Sequence, residues 1–210
     1  MESKFTISEV LKVSWEALKS QIWILVGLFI GFSILSSVFS LLIMHAMTSY
    51  SGTIIGNLIF IIISLVFNLG YMKNLFQTLD GDEPQFSAYG QQAHKIGTYF
   101  VASLIYYILV LIGMALLIIP GIYISLRLQF FAQFIVEEDA GIVESLKKSW
   151  EITQDQALPL FILLLVIIGI TIVGLILFVV GLFVAVPFIM LMQCYVFRKL
   201  NSPLNIFEEV

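Results

Sequence analysis

Along this chain apolar residues run in long unbroken segments, and the polar positions gather in short stretches between them. Two segments, Ile22 to Met44 and Ile54 to Phe76, are 23 residues each and contain no Asp, Glu or Arg, with Lys73 only near the end of the second. A helix needs about 20 such residues to cross a hydrocarbon layer, so each spans once. Two further segments, Ile96 to Val136 and Ala157 to Phe197, are 41 residues each. That is about twice the length of one crossing, so each is predicted to fold back on itself. The first turns near Gly113 to Gly121 with Pro120-Gly121 as the break, and the second turns between Gly174 and Gly181. Pro187 is predicted to kink the last helix.

The stretches before the hairpins change period. Over residues 5–20, Ile7, Val10, Leu11 and Leu18 cluster on one helix face, while Lys12, Glu16 and Lys19 lie largely on the other. Thr6 with Glu9 reads as a capping box, and Phe5 with Val10 as a hydrophobic staple. Such a helix is expected to lie in the membrane interface, where Trp15 suits the boundary between headgroups and acyl chains. Residues 9–21, EVLKVSWEALKSQ, align without gaps on residues 144–156, ESLKKSWEITQDQ, with 7 of 13 positions identical. Chance gives roughly one match. A second interfacial helix is therefore expected over 141–154, anchored by Trp150, and the chain reads as an internal repeat of an amphipathic helix followed by a hairpin. A weaker third unit lies at 86–95, where Phe86, Tyr89, Ala93 and then Ile96 keep helical spacing.

Composition sharpens this picture. The chain is 60% hydrophobic and 11% charged, with mean hydropathy +1.05, whereas a soluble domain carries about 25% charged residues. A soluble globular fold is excluded. The fold class is all-α: a polytopic integral membrane bundle of six transmembrane helices, with interfacial amphipathic helices before the hairpins. A net charge of -4 with only 10 Lys and Arg argues against nucleic acid as a partner. The single cysteine, Cys194, excludes an intramolecular disulfide. The first twenty residues lack the apolar core and cleavage site of a secretory signal, which predicts that they are retained.

Lys4, Lys12, Lys19, Lys73, Lys95, Lys147, Lys148, Arg198 and Lys199 all fall on the side shared by both termini, which the positive-inside rule makes cytoplasmic. The opposite side receives the loop His45 to Thr53 and two apolar turns, none with an ionisable Lys, Arg, Asp or Glu.

The informative chemistry is polar residues inside the spans, which need partners or water. Arg127, ten residues before Glu137, sits about 15 Å along a helix from the cytoplasmic end. Its candidate partners are helix-end carbonyls, Asn or Gln side chains, water or a lipid phosphate, so it either scaffolds helix ends or anchors an anion. Ser125, Gln129 and Gln133 follow at four-residue steps, roughly opposite Arg127. Asn57, Ser64 and Asn68 share a face of the second span, as do Ser33, Ser36, Ser37 and Ser40 in the first, where Gly27 and Gly31 mark a close-packing face. Such stripes read as contacts between helices first and as the lining of a pathway second.

Enzymatic signatures are absent from the sequence. His45 and His94 are expected on opposite sides of the membrane, and no paired-Cys, His-Glu-x-x-His, Gly-x-Ser-x-Gly or phosphate-loop pattern occurs. No catalytic residue, metal or cofactor is predicted. The acidic turns at 80–83 and 137–139 suit the starts of the helices that follow them better than a cation site.

The run LLIIPGIYISLRLQF, residues 116–130, followed by FIVEEDAGIVESLKKSWEIT, residues 134–153, resembles bacterial inner-membrane proteins of the YciC type. It is also similar to the membrane domain of some glycerophosphodiester phosphodiesterases. Pro120-Gly121, Arg127, the acidic turn, and Leu146, Ser149 and Trp150 carry the likeness. It implies a six-helix protein of the bacterial cytoplasmic (inner) membrane with both termini cytoplasmic, and it transfers no catalytic residue. The functional expectation is a non-enzymatic protein that binds lipid or a lipid-linked partner in envelope maintenance, with Arg127 as anchor. The alternatives are a small transporter, channel or lipid scramblase, and a membrane assembly or immunity factor. Expected partners are membrane lipids and a homo-oligomer or protein partner at the cytoplasmic face.

Overall fold

In lipid every backbone N–H and C=O must be satisfied within the chain, and each apolar segment accordingly closes its hydrogen bonds as an α-helix. The computed structural model describes residues 3–46, 50–177 and 180–202. Its order is α1 Ile7–Ser20, α2 Ile22–Ala46, α3 Tyr50–Leu79, α4 Ser87–Gln92, α5 Ile96–Leu116, α6 Ile118–Leu128, α7 Phe131–Glu138, α8 Ile142–Ile152, α9 Ala157–Ile176 and α10 Val180–Asn201. A 3-10 turn at Ala93–Lys95 joins α4 to α5. Among the described residues six helical stretches are long and apolar enough to cross a membrane, counting α4 with α5 as one and α6 with α7 as another. The protein is an all-α polytopic bundle. Part of the expected outer loop, residues 47–49, lies outside the described residues.

The second hairpin turns on one residue. Leu117, extended at φ -164° and ψ 150°, is all that separates α5 from α6. Helix axes this close leave no space for side chains: a Cβ on Gly113 would lie 2.9 Å from the Gly121 Cα, and one on Gly121 would lie 2.5 Å from the Met114 Cγ. The turn falls within the expected range, but Pro120-Gly121 is not the break. Pro120 occupies the first turn of α6, where its missing N–H leaves no helix bond unmade. Gly174 and Gly181 play the same part in the third hairpin, where a Cβ on Gly181 would meet the Gly174 carbonyl at 2.7 Å. Pro187 stands inside α10, which continues to Asn201.

The stretch expected as one long fourth helix is two, because α6 stops at Leu128 and α7 starts at Phe131. The break puts Ser125 and Gln129 at the end of one helix and buries Gln133 in another, so the three polar residues are not carried by a single helix.

The buried core lies at the end of the bundle that carries the termini. Tyr71, Leu75 and Phe76 of α3, Phe131, Phe134 and Ile135 of α7, and Leu191, Val196 and Phe197 of α10 meet there. Phe134 stands edge-on to Phe197 at 4.9 Å. Away from this base the hairpins face outward. There α2 and α3 touch through stacked rings, Phe32 on Phe67 at 3.8 Å and Phe39 on Phe60 at 5.5 Å.

Thr6 caps α1 by accepting from the Glu9 N–H at 3.3 Å, as its sequence indicates. The helix docks lengthwise on α10: the Lys4 ammonium reaches the Leu200 carbonyl, Glu9 accepts from the Tyr195 hydroxyl at 2.6 Å, and Trp15 meets Phe188 at 5.6 Å. Protein therefore covers the face expected to sink into headgroups.

Acidic residues of the two turns serve tertiary pairing more than helix starts. Asp80 takes both ends of the Arg198 guanidinium. Glu137 pairs with Lys73 at 2.9 Å and with Arg198 at 3.1 Å, and Glu138 pairs with Lys148 at 3.0 Å. These bonds tie α3, α7, α8 and α10 at one level. Lys73, Lys148 and Arg198, three of the cations grouped by the charge reading, thus share one end of the bundle.

Candidate functional site

Where α6 ends, its last carbonyls have no partner within the helix, and the same holds at the end of α8. The two ends satisfy each other. From α6, the Arg127 Nη1 donates to the Thr153 carbonyl at 3.1 Å and Nη2 donates to the Trp150 carbonyl at 2.6 Å. From α8, the Ser149 hydroxyl donates to the Arg127 carbonyl at 3.0 Å and accepts from the Phe130 N–H at 3.1 Å. The Thr153 hydroxyl lies 3.0 Å from the Arg127 carbonyl and 2.7 Å from its own helix at the Ser149 carbonyl, so it shares one proton between them. These hydroxyls take over the bonds that a continuous helix would have made across Gln129 and Phe130. They are the physical reason for the break.

Aromatic faces complete the cation's surroundings. Arg127 lies 4.5 Å from the Trp150 ring centre and 5.7 Å from that of Tyr123, and the two rings meet edge to face at 5.9 Å. Arg127 is only 5% exposed. Its Nε has no hydrogen-bond partner, and among the described residues no carboxylate forms an ion pair with it. The positive charge is thus solvated by dipoles and rings without being neutralised. Beside it opens a cleft of about 560 Å³, lined by Tyr123, Arg127, Trp150, Gln154, Asp155, Ala157 and Leu158. Asp155, in the turn between α8 and α9, has a left-handed backbone at φ 60°. A guanidinium in a partly dry setting beside open space attracts a phosphate or carboxylate group more strongly than it would in water.

A second buried cation closes a second helix end. Lys95, immediately before α5, donates from Nζ to the Val136 carbonyl in the last turn of α7 at 2.9 Å and pairs with Asp139 at 2.5 Å. Sequence reasoning had placed Lys95 only by its side of the membrane, since a lone lysine in a polar stretch gives no sign that its ammonium is buried. Ser149 and Thr153 were likewise missed as caps. Their spacing on one helix face was visible, but their partner at Arg127 is remote in sequence.

The electrostatics at this end follow from the pairing. Arg198 beside Asp80 holds that carboxyl below the usual carboxylate range, and Lys95 does the same for Asp139. Burial pushes Glu9 up, but the bonds from Lys199 and Tyr195 outweigh it and leave the carboxyl lowered.

The remaining predicted residues are not brought together. Asn57 donates to the Thr53 carbonyl at 2.8 Å, Ser64 to Phe60 at 2.9 Å and Asn68 to Ser64 at 2.7 Å, all within α3. Ser33 and Ser37 bond back along α2 in the same way. On the α6 side, Ser125 bonds the Ile122 carbonyl and Gln129 the Leu126 carbonyl, while Gln133 is buried with its Oε1 unpartnered. A Cβ at Gly27 or Gly31 would meet nothing within 4 Å, so these glycines do not pack against a helix of this chain. They border an apolar groove with Trp23, Phe67, Phe86 and Tyr89. Of the two expected anchors, Trp15 packs on α10 and Trp150 covers Arg127. His45 bonds the Leu41 carbonyl, and His94 lies 3.7 Å from Asp139. Among the described residues no group of three or more His, Cys, Asp or Glu is placed to hold a metal ion.

A family model described as "Domain of unknown function (DUF7847)" matches residues 54–207. No curated protein and no solved structure matches the chain.

Proposed function

The chain belongs to the DUF7847 family of domains, and we propose that it is a non-enzymatic membrane protein that holds the anionic headgroup of a lipid, or of a lipid-linked partner, in the cleft beside Arg127. The observation that carries this reading is a buried guanidinium without a carboxylate partner among the described residues, bordering open polar space at the turn between α8 and α9. Trp150 and Tyr123 suit the level at which headgroup meets acyl chain. The polar residues of α3 bond within their own helix, which favours this reading over a transport pathway.

The likeness of residues 116–153 to YciC-type proteins and to phosphodiesterase membrane domains supports a bacterial inner-membrane setting. The clustered lysines at the base support cytoplasmic termini. The alignment of residues 9–21 on 144–156 supports duplication of a unit consisting of one amphipathic helix and one hairpin.

Native mass spectrometry of the purified protein, with released lipids identified, tests the reading. Ala157→Trp fills the cleft without touching the bonds between helix ends. The expected result is an anionic phospholipid bound to wild type and lost from folded Ala157→Trp. Identical lipid profiles, or retention of only zwitterionic lipids by both, would overturn it.

A further inference from the structure

One polar side chain faces outward where the bundle offers it nothing. The stacked pairs Phe32 on Phe67 and Phe39 on Phe60 fix the register of α2 against α3, so that Asn68 stands opposite Gly31. Trp23, 89% exposed at the start of α2, marks an interface level. Counted along α2 from that level, Asn68 lies about 12 Å and Ser64 about 18 Å into a layer roughly 30 Å thick. Asn68 is exposed at this depth. One of its amide N–H groups bonds the Ser64 carbonyl, and the other N–H and Oδ1 have no partner among the described residues. Lipid supplies none, and leaving such capacity unmade in hydrocarbon is costly.

We infer that the Asn68 face of α3 is the contact between two copies of this chain, in which the Asn68 amides of the two copies hydrogen-bond each other. Two properties select a second copy as the occupant. A primary amide both donates and accepts, so it is its own complement. Every copy crosses the membrane in the same sense, so a two-fold axis along the membrane normal brings Asn68 to Asn68 at equal depth. A different protein would need a polar residue at that same depth. No Asp, Glu, Lys, Arg or His lies between Tyr50 and Met72, so two copies of this face do not repel. Ile61 lies within about 40° of Asn57 on the same face, whereas Ile62 points away.

This contact is independent of the cleft at Arg127, and its test is oxidative cross-linking in native membranes. Single cysteines are placed at Ile61 or Ile62 in a Cys194→Ala background. Ile61→Cys is expected to give a disulfide-linked dimer and Ile62→Cys little. Adding Asn68→Val is expected to lower the cross-linked fraction about tenfold, in line with hydrogen bonds between membrane helices, while Asn68→Gln keeps it. Equal yields at the two positions, no self-cross-link, or an undiminished yield in Asn68→Val would each overturn the proposal. Gel filtration of every variant separates loss of the dimer from loss of the fold.

Discussion

Arg127 and Thr153 hydrogen-bond in both directions: the guanidinium donates to the Thr153 carbonyl at 3.1 Å, and the Thr153 hydroxyl lies 3.0 Å from the Arg127 carbonyl. Each helix end is therefore closed by a side chain of the other. Removing the guanidinium leaves the Trp150 and Thr153 carbonyls without their donor, whereas removing the Thr153 hydroxyl leaves the Arg127 carbonyl to Ser149 alone.

Ser149→Ala combined with Thr153→Val strips both hydroxyls from the Arg127 carbonyl while nearly preserving volume. The double variant is expected to lose about 2–4 kcal/mol of stability, and each single well under half of that, because one hydroxyl then still serves the carbonyl. Thermal unfolding in mild detergent, followed by tryptophan fluorescence, measures it. Two fully additive singles would mean that the hydroxyls do not share the acceptor.

Arg127→Met keeps the stem and removes the fork. It is expected to destabilise by about 3 kcal/mol, since two helix-end carbonyls and two aromatic faces lose the cation together. Arg127→Lys is expected to recover less than half, because an ammonium is a compact charge that does not span two carbonyls. Melting temperature and folded yield report both, and full rescue by lysine would show that charge matters and the fork does not.

Glycines separate into two kinds. Gly121→Ala places a methyl 2.5 Å from Met114 and is expected to cost about 1–3 kcal/mol through opening of the hairpin. Gly27→Ala meets open space and is expected to change stability by less than about 0.5 kcal/mol. Parallel melts of the two variants decide this.

Acid should loosen the base before it loosens the hairpins. Asp80, Asp139 and Glu9 are held below their ordinary values in the folded protein. A lowered folded value contributes stability that is complete above the unfolded value, near pH 4, and is lost as pH falls through the folded one. Stability in detergent is thus expected to be flat with respect to these groups from pH 8 to about 5 and to fall below about pH 4. Asp80→Asn is expected to flatten that fall. An unchanged acid limb in Asp80→Asn would remove the Arg198 pair from the explanation.

The spans were legible because hydropathy and length together leave one solution in lipid, and Gly113 and Gly174 marked the turns because only glycine lets helices meet so closely. Pro120 misled, since proline breaks a helix interior but begins a helix well. The stop at Leu128 was invisible: nothing in LRLQFFAQF forbids a continuous helix, and the hydroxyls that end it come from α8, more than twenty residues away. Arg127 stood out as a charge in an apolar run, and helix-end carbonyls were among its foreseen partners. Which helix supplied them was not readable, because the α8 leader looked like a surface helix and in fact closes over the break.

The one-residue turn at Leu117 has a mechanical consequence. Its two legs end in the two buried cations, Lys95 at the foot of α5 and Arg127 at the foot of α6, and each cation grips the end of another helix. A turn with no slack does not let one leg slide without pulling the other. The hairpin is therefore a pair of unequal arms joined at Leu117, the longer α5 arm fastened at its far end through Lys95 and the shorter α6 arm through Arg127.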